Sequence, residues 1–449
     1  MNEKTDRWWE ALLRSLGMPL GGSRAEAAGV ALVKVSHAVV AFGISILLAR
    51  VLGVDAFGRY SFALTVCILL ALVAQIGLPP LLLRQTARAK AAGEAPPRRL
   101  LRWGLMVGMG LGLSIVAAML LAISITGLLD PARDDVMAWA VLLVPLTAGQ
   151  SILAAVIAGS GSAARGHALE SVLQVSLTAL GFGLVLAVLG TARFGVELAM
   201  AINISATALG FAVALWVVHR RGLLARGAPG DQGAPGPRQW LAAAIPLGAL
   251  GGVQIINANV DMVMLGLLAS DRETGIYRVV GQMILALGLL PNAVLLAVRP
   301  RYAGLWQQDD RLALQRLVRR STAASTGLAL VLGVGLILVA EPLLALVFGA
   351  PFTEGAGPLS VLVAGVVMAN AIGPTLTLAG MTGNERVALR IVAIALTGNI
   401  VLNALLIPSF GMMGAAASSV ASLVFARLWL RHVLRVRLGI EAALLPPIR

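Results

Sequence analysis

The chain has 449 residues, 58% of them hydrophobic and only 12% charged, with a mean hydropathy of +0.89. A soluble domain carries about 25% charged residues, so the composition excludes a soluble enzyme and asks for a membrane. The net charge of +14 would suit nucleic acid, but its placement along the chain argues against that.

A membrane span needs about 20 apolar residues. The first 27 residues are too polar for one. Within them Trp8, Trp9, Leu12, Leu13 and Leu16 share one helical face, which predicts an amphipathic segment lying in the interface; a disordered tail is the alternative. No cleavable signal is evident, and the first span would act as an uncleaved anchor. Six spans follow, at 28–50, 60–83, 103–126, 137–158, 168–190 and 196–218, forming an N-terminal six-helix bundle over 28–218. Residues 219–238, with Gly-Ala-Pro-Gly twice, are the linker. Six more spans, at 240–268, 275–298, 321–340, 358–380, 387–407 and 412–430, form a C-terminal bundle over 239–430, and 431–449 is a basic tail.

The arginines alternate from loop to loop. Residues 84–102 hold Arg84, Arg88, Lys90, Arg98, Arg99 and Arg102 against Glu94 alone. The 219–238 and 299–320 loops and the tail are also basic, whereas 127–136 carries Asp130, Asp134 and Asp135 against Arg133. Loop 341–357 has Glu341 and Glu354 and no base. This positive-inside pattern places both termini in the cytoplasm and accounts for the charge excess without nucleic acid.

The halves repeat. Gly58-Arg59-Tyr60 and Gly275-Ile276-Tyr277 open spans two and eight, 217 positions apart, and Arg84 and Arg301 match at the same offset. Ala158-Gly159 with Arg165 matches Ala379-Gly380 with Arg386, and Phe194-Gly195 matches Phe410-Gly411. An offset of six spans preserves orientation, so these are parallel repeats, an architecture suited to alternating access. No Walker A, HExxH or GxSxG motif occurs, the four histidines are scattered, and Cys67 is the single cysteine. The function therefore lies among the helices and is not enzymatic.

Leu52-Gly53-Val54-Asp55-Ala56-Phe57-Gly58-Arg59-Tyr60 resembles the "LG…FG.Y" signature of the polysaccharide transporters, which are lipid-linked oligosaccharide or O-antigen flippases. The run from Asn399 to Ala416, through Leu402-Asn403, Leu406-Ile407-Pro408 and Phe410-Gly411, is similar to that family's "vLN..LIP.fG..GAA". Asp261 to Gly266, followed by Thr274-Gly275-Ile276-Tyr277, also fits its seventh span, and the resemblance covers roughly 25–430. It implies the multidrug/oligosaccharidyl-lipid/polysaccharide exporter fold: an all-α integral membrane protein of about twelve transmembrane helices, in two six-helix bundles around a central cavity. It also implies movement of an undecaprenyl-diphosphate-linked glycan from the inner to the outer leaflet of a bacterial plasma membrane, for surface polysaccharide such as lipopolysaccharide O-antigen or exopolysaccharide. No nucleotide is hydrolysed in that family, and H+ or Na+ is the candidate coupling ion. A polysaccharide polymerase and glycosyltransferases of the same pathway would be partners. The lipid II flippase branch usually has fourteen spans, against twelve here.

Ionisable groups inside a bilayer normally face a cavity or a partner. Lys34 and His37 lie three apart on one face of the first span and are candidates to attract the diphosphate; snorkelling of Lys34 and simple hydrogen bonding of His37 are the alternatives. Arg84, Arg299 and Arg301 flank the expected cytoplasmic mouth and are candidates for capturing it, or carry only the topological signal. Asn257 shares a face with Asp261 and is a candidate sugar contact or a packing residue. Asp261 and Arg278, at similar depths on consecutive spans, are expected to form a gating or clamping ion pair, and Glu170 is a further gating or ion-coupling candidate. Gly104, Gly108 and Gly112 predict a close helix approach, usually within a bundle. An ion-coupled drug or metabolite antiporter of the same superfamily is the competing function. A glycan polymerase or ligase would need a larger outer loop than any present.

Overall fold

The computed structural model describes residues 23–439 apart from 95, 128–129, 162, 192–193 and 225–235. Most of the expected amphipathic segment, the middle of the linker and the last ten residues of the tail lie outside the described residues.

Every regular element among the described residues is helical. The first half runs α1 (Ser23–Leu52), α2 (Val54–Gln75), α3 (Leu78–Ala91), α4 (Arg98–Thr126), α5 (Pro131–Ala140), α6 (Leu143–Gly159), α7 (Ala163–His167), a π-helical turn (Ala168–Val172), α8 (Leu173–Leu189) and α9 (Val196–Arg220). The second runs α10 (Pro237–Leu268), α11 (Asp271–Gln307), α12 (Arg311–Leu338), α13 (Ala340–Val347), a 3₁₀ turn (Ala350–Gly355), α14 (Ala356–Ile372), α15 (Thr375–Met381) and α16 (Glu385–Leu438). Among the described residues eleven helical segments are long and apolar enough to cross a membrane. The last, at 54 residues, would be about 80 Å long, more than twice the ~30 Å hydrocarbon core. It breaks at Gly411, with φ 51° and ψ −133°, so it is long enough for two crossings, and the described residues then supply the twelve expected. The outer faces remain apolar. Leu180, Leu184 and Val188, at four-residue spacing on α8, are 69%, 67% and 72% exposed, the condition of a helix solvated by lipid.

The loops differ from expectation. Residues 127–136 and 341–357 are largely helical, as α5, α13 and the 3₁₀ turn, because proline at the first or second position starts α5 and the 3₁₀ turn. The second span, expected over 60–83, is divided at Ile76-Gly77, where both residues have positive φ.

By contacts the chain forms two compact units, one holding residues through Leu47 with Ala63–Gly252, the other Leu48–Phe62 with Val253 onward. In the first, Leu81, Leu82, Leu101, Ile152, Leu153 and Val218 form a core closed by Trp103 against Trp240, with ring centroids 5.2 Å apart. The glycine stripe seats α4 on α6: a Cβ at Gly108 would lie 2.6 Å from Ile152 Cδ1, and one at Gly112 2.7 Å from Pro145 Cα. In the second unit Tyr302, Leu314, Val318, Leu378, Leu430 and Leu434 form one core, and Met262, Leu265, Tyr277 and Ile407 another.

The repeated glycines meet inside the second unit. Gly58 and Gly275 are each the fifth residue of their helices, α2 and α11. A Cβ on Gly58 would overlap the Asp271 carbonyl oxygen and lie 3.0 Å from Gly275 N; one on Gly275 would overlap the Val54 carbonyl oxygen and lie 3.1 Å from Gly58 N. The two helix starts thus cross backbone to backbone, and each glycine clears space for the other's preceding turn. Around them Arg50 Nε donates to Val347 O at 2.7 Å and Arg50 Nη2 to Leu346 O, capping the carbonyl end of α13. Phe57 packs edge-on to Phe352, with centroids 6.4 Å apart, and Arg59 lies 3.9 Å from Asp271.

Gly58→Val and Gly275→Val are each expected to lower stability by about 1–3 kcal/mol or more, the usual cost of overpacking. Gly43→Ala, where a Cβ meets nothing within 4 Å, is expected to be neutral or to stabilise by up to ~1 kcal/mol. Thermal unfolding of the purified variants in one detergent checks the contrast.

Candidate functional site

Among the described residues, the acidic candidates Glu170 and Asp261 each sit in a polar cluster, one in each unit. In the first unit the cluster forms where α7 passes through the π turn into α8. A π turn closes i→i+5 bonds and carries one extra residue, which disturbs the local carbonyl ladder. Gln150 of α6, buried at 2% exposure, answers this: its Nε2 donates to Leu169 O at 3.0 Å and to Glu170 O at 3.1 Å. Ser151 donates to Glu170 Oε1 at 2.8 Å, and His167 Nδ1 lies 3.9 Å from Glu170 Oε2, an ion pair when the imidazole is protonated. From α1, His37 Nδ1 donates to Ser171 O at 3.3 Å. Next along α8, Gln174 donates to Thr207 of α9 at 2.8 Å. Lys34 is exposed one turn before His37 and has no ion-pair partner among the described residues.

The structure therefore brings His37 and Glu170 to adjacent residues of one turn, which spans 134 positions apart in sequence could not announce. The cluster adds His167, Gln150 and Ser151, which the sequence reading missed. The i,i+3 spacing of His167 and Glu170 was a usable signal; the π turn that gathers them leaves no mark in hydropathy.

In the second unit Asp261 of α10 is half-buried and both carboxylate oxygens accept hydrogen bonds. Asn403 Nδ2 donates to Oδ1 at 2.7 Å, and Ser419 Oγ donates to Oδ2. Asn403 Nδ2 also lies 3.0 Å from Asn399 Oδ1, and Tyr277 OH stands 3.5 Å from Ser419 Oγ. The expected Asp261–Arg278 ion pair is absent. Asp261 is held by neutral donors from α16, and Arg278 has no carboxylate partner among the described residues. Similar depth on consecutive helices fixes height but not the direction each side chain takes around its helix, and here the directions differ.

Each cluster also holds a buried amide oxygen with no partner, Gln150 Oε1 in the first and Asn403 Oδ1 in the second, a costly state for a carbonyl oxygen. The Asp261 carboxylate, Asn399 Oδ1 and Ser419 Oγ that meet around the Asn403 amide are hard oxygens, the kind that suits a small cation.

The remaining candidates stay apart from these clusters. Arg84 is exposed on α3, Arg299 and Arg301 are exposed on α11, and Asn257 is exposed one turn before Asp261. Two other amides in the spans, Asn259 and Asn370, bond to carbonyls of their own helices, at 2.8 and 2.9 Å.

Gln150→Leu would strand the Leu169 and Glu170 carbonyls. It is expected to cost about 1–3 kcal/mol, visible as a lower melting temperature and as faster amide exchange confined to residues 168–175.

The polysaccharide biosynthesis protein family model matches residues 24–306. A probable flippase, AglR of Haloferax volcanii, is 31% identical over 191 residues, a stretch that is 42% of this chain and 39% of that relative. Among solved structures, the lipid II flippase MurJ in an inward closed conformation superposes with a TM-score of 0.70 at 14% identity, covering 90% of this chain and 87% of that one. An inward-facing multidrug resistance MATE family transporter gives 0.68 at 15% identity, covering 88% and 94%. A MOP superfamily transporter from Pyrococcus furiosus gives 0.63 at 15% identity, covering 93% and 96%. The fold is that of the MOP transporters, and the chain is a multi-pass membrane protein that belongs to the polysaccharide biosynthesis protein family.

Proposed function

We propose that the protein is a flippase that carries an undecaprenyl-diphosphate-linked oligosaccharide from the inner to the outer leaflet of a bacterial plasma membrane by alternating access, with both termini cytoplasmic. The observation that carries this reading is the cluster of Lys34, His37 and His167 within helices of a chain from a polysaccharide biosynthesis family. A diphosphate loses its hydration on entering a bilayer, and fixed N–H donors offset that loss, with a charge-assisted bond at the Lys34 ammonium. Glu170 stands 3.9 Å from His167, and the Gln150-braced turn fixes both on helices. Arg84, Arg299 and Arg301 attract the headgroup to the cytoplasmic face. Asn257, exposed on α10, is available to sugar hydroxyls.

Asp261 is the coupling-ion residue in this reading. Its carboxylate, with Ser419 Oγ and Asn399 Oδ1 nearby, would hold Na+ or, on the carboxylate, a proton; the ion supplies the gradient energy and no covalent chemistry. Arg278, without a carboxylate partner, stays a gating candidate. Polymerase and glycosyltransferases of the surface polysaccharide pathway supply and consume the substrate.

The test is a leaflet assay in proteoliposomes, using a short undecaprenyl-diphosphate oligosaccharide and a glycan-specific probe confined to the outside. Protein-dependent exposure is expected, slowed about tenfold or more by Lys34→Ala, as ~1.4 kcal/mol of lost bonding implies. In Asp261→Asn the response to an imposed Na+ or H+ gradient is expected to vanish. No exposure with several glycans, while a cationic dye moves down such a gradient, would assign the chain to ion-coupled drug or metabolite antiport.

A further inference from the structure

The first two turns of α11 are gripped from two sides within the second unit. On one side Gly275 and the Asp271 carbonyl lie under the α1–α2 corner. On the other, two rungs reach the last helix. Glu273 Oε1 accepts Met412 N–H at 3.1 Å, just past the Gly411 break, and Tyr277 OH lies 3.5 Å from Ser419 Oγ. Glu273 and Tyr277 are one turn apart on α11; Met412 and Ser419 are two turns apart on α16, so each pair shares a face.

The rungs differ in what can change them. The Glu273 acceptor faces a backbone N–H, which has no alternative orientation. The Tyr277 rung ends on a hydroxyl whose single hydrogen is already given to Asp261 Oδ2. Ser419 oxygen is therefore the acceptor, and Tyr277 the donor. A cation on the Asp261 oxygens competes with that hydrogen, and so does a proton. Once displaced, the Ser419 hydrogen turns toward Tyr277 oxygen, so the rung reverses its direction and its length is free to change. One rung is fixed and the other follows the state of Asp261.

We propose that Tyr277 is a positioning residue that relays occupancy of the Asp261 site to the Gly58–Gly275 crossing. The inference rests on the reading of Asp261 as the coupling-ion site. With Glu273 as the pivot, displacement of Tyr277 tilts the start of α11. Gly275 lies between those two residues, so the tilt is felt where it meets the Val54 carbonyl. That crossing has no side chain between the backbones to absorb a small shift, so it is either seated or released.

The experiment uses the full chain in lipid nanodiscs with Cys67→Ala and spin labels at Asp55→Cys and Leu346→Cys, both exposed positions beside the corner. Two readouts are taken with sodium chloride against choline chloride, and at two pH values: the melting temperature, which reports binding, and the label-to-label distance distribution, which reports the corner. The background protein is expected to be stabilised by sodium or by protons and to shift its distance distribution. Tyr277→Phe is expected to keep the stabilisation, at the same concentration for half effect, and to lose the shift. Glu273→Gln, which still offers an acceptor, is expected to keep both. A Tyr277→Phe protein whose labels move like the background overturns the relay and leaves the ion site standing. A background protein that no ion stabilises, or an Asp261→Asn protein that is stabilised equally, overturns the ion site and the relay with it.

Discussion

Two helices that touch through their backbones set the geometry of the second unit. Gly58 and Gly275 let the starts of α2 and α11 cross at a distance that any Cβ would forbid. The crossing explains why residues 48–62 group with the C-terminal helices instead of with the rest of α1 and α2. It fixes the start of α11, which in turn presents Glu273 to the Gly411 break and Tyr277 to Ser419. Asp261 is reached through that same chain of contacts. A contact without side chains is unusually exact, because nothing in it can change rotamer to make room.

The two polar clusters handle the cost of polarity in a bilayer in different ways. In the first unit the acid has an imidazole neighbour, and a buried glutamine bonds two carbonyls of the irregular turn. The charge there is mixed, with Lys34 and His37 adding basic groups nearby. In the second unit the acid accepts from an amide and a hydroxyl, and in each unit one amide oxygen, Gln150 Oε1 or Asn403 Oδ1, is left without a partner. Polar groups retained at such cost are usually retained for function.

Much of this was legible in the sequence, for physical reasons that can be named. Apolar length gives the crossings, since a helix must cover the hydrocarbon. The motif glycines gave more than family likeness. Gly58 of the first motif is the crossing residue, and Gly411 of the second is the break, where φ is positive and a Cβ would collide with the Glu273 carboxylate. Asp261 stood out because ionisable groups are rare in spans. Its partners did not. Hydropathy gives depth, whereas partner choice depends on rotation about the helix axis, so Arg278 looked suitable while Asn403 and Ser419 held the carboxylate. The π turn was invisible for a related reason: one inserted residue shifts which faces align, but not how apolar they are.

The Gly411 break also bears on how the chain is made. The N–H that begins the final crossing is satisfied by a carboxylate 139 positions upstream. At a synthesis rate of about 5–20 residues per second, Glu273 therefore emerges roughly 7–28 seconds before the group it caps. During that interval Ser270, whose hydroxyl accepts from Glu273 N–H at 3.3 Å and stands 3.4 Å from Glu273 Oε2, is its local partner. The last helical hairpin thus arrives at a prepared anchor. The turn between its two arms is completed by tertiary contact with a segment already in place, not by its own residues.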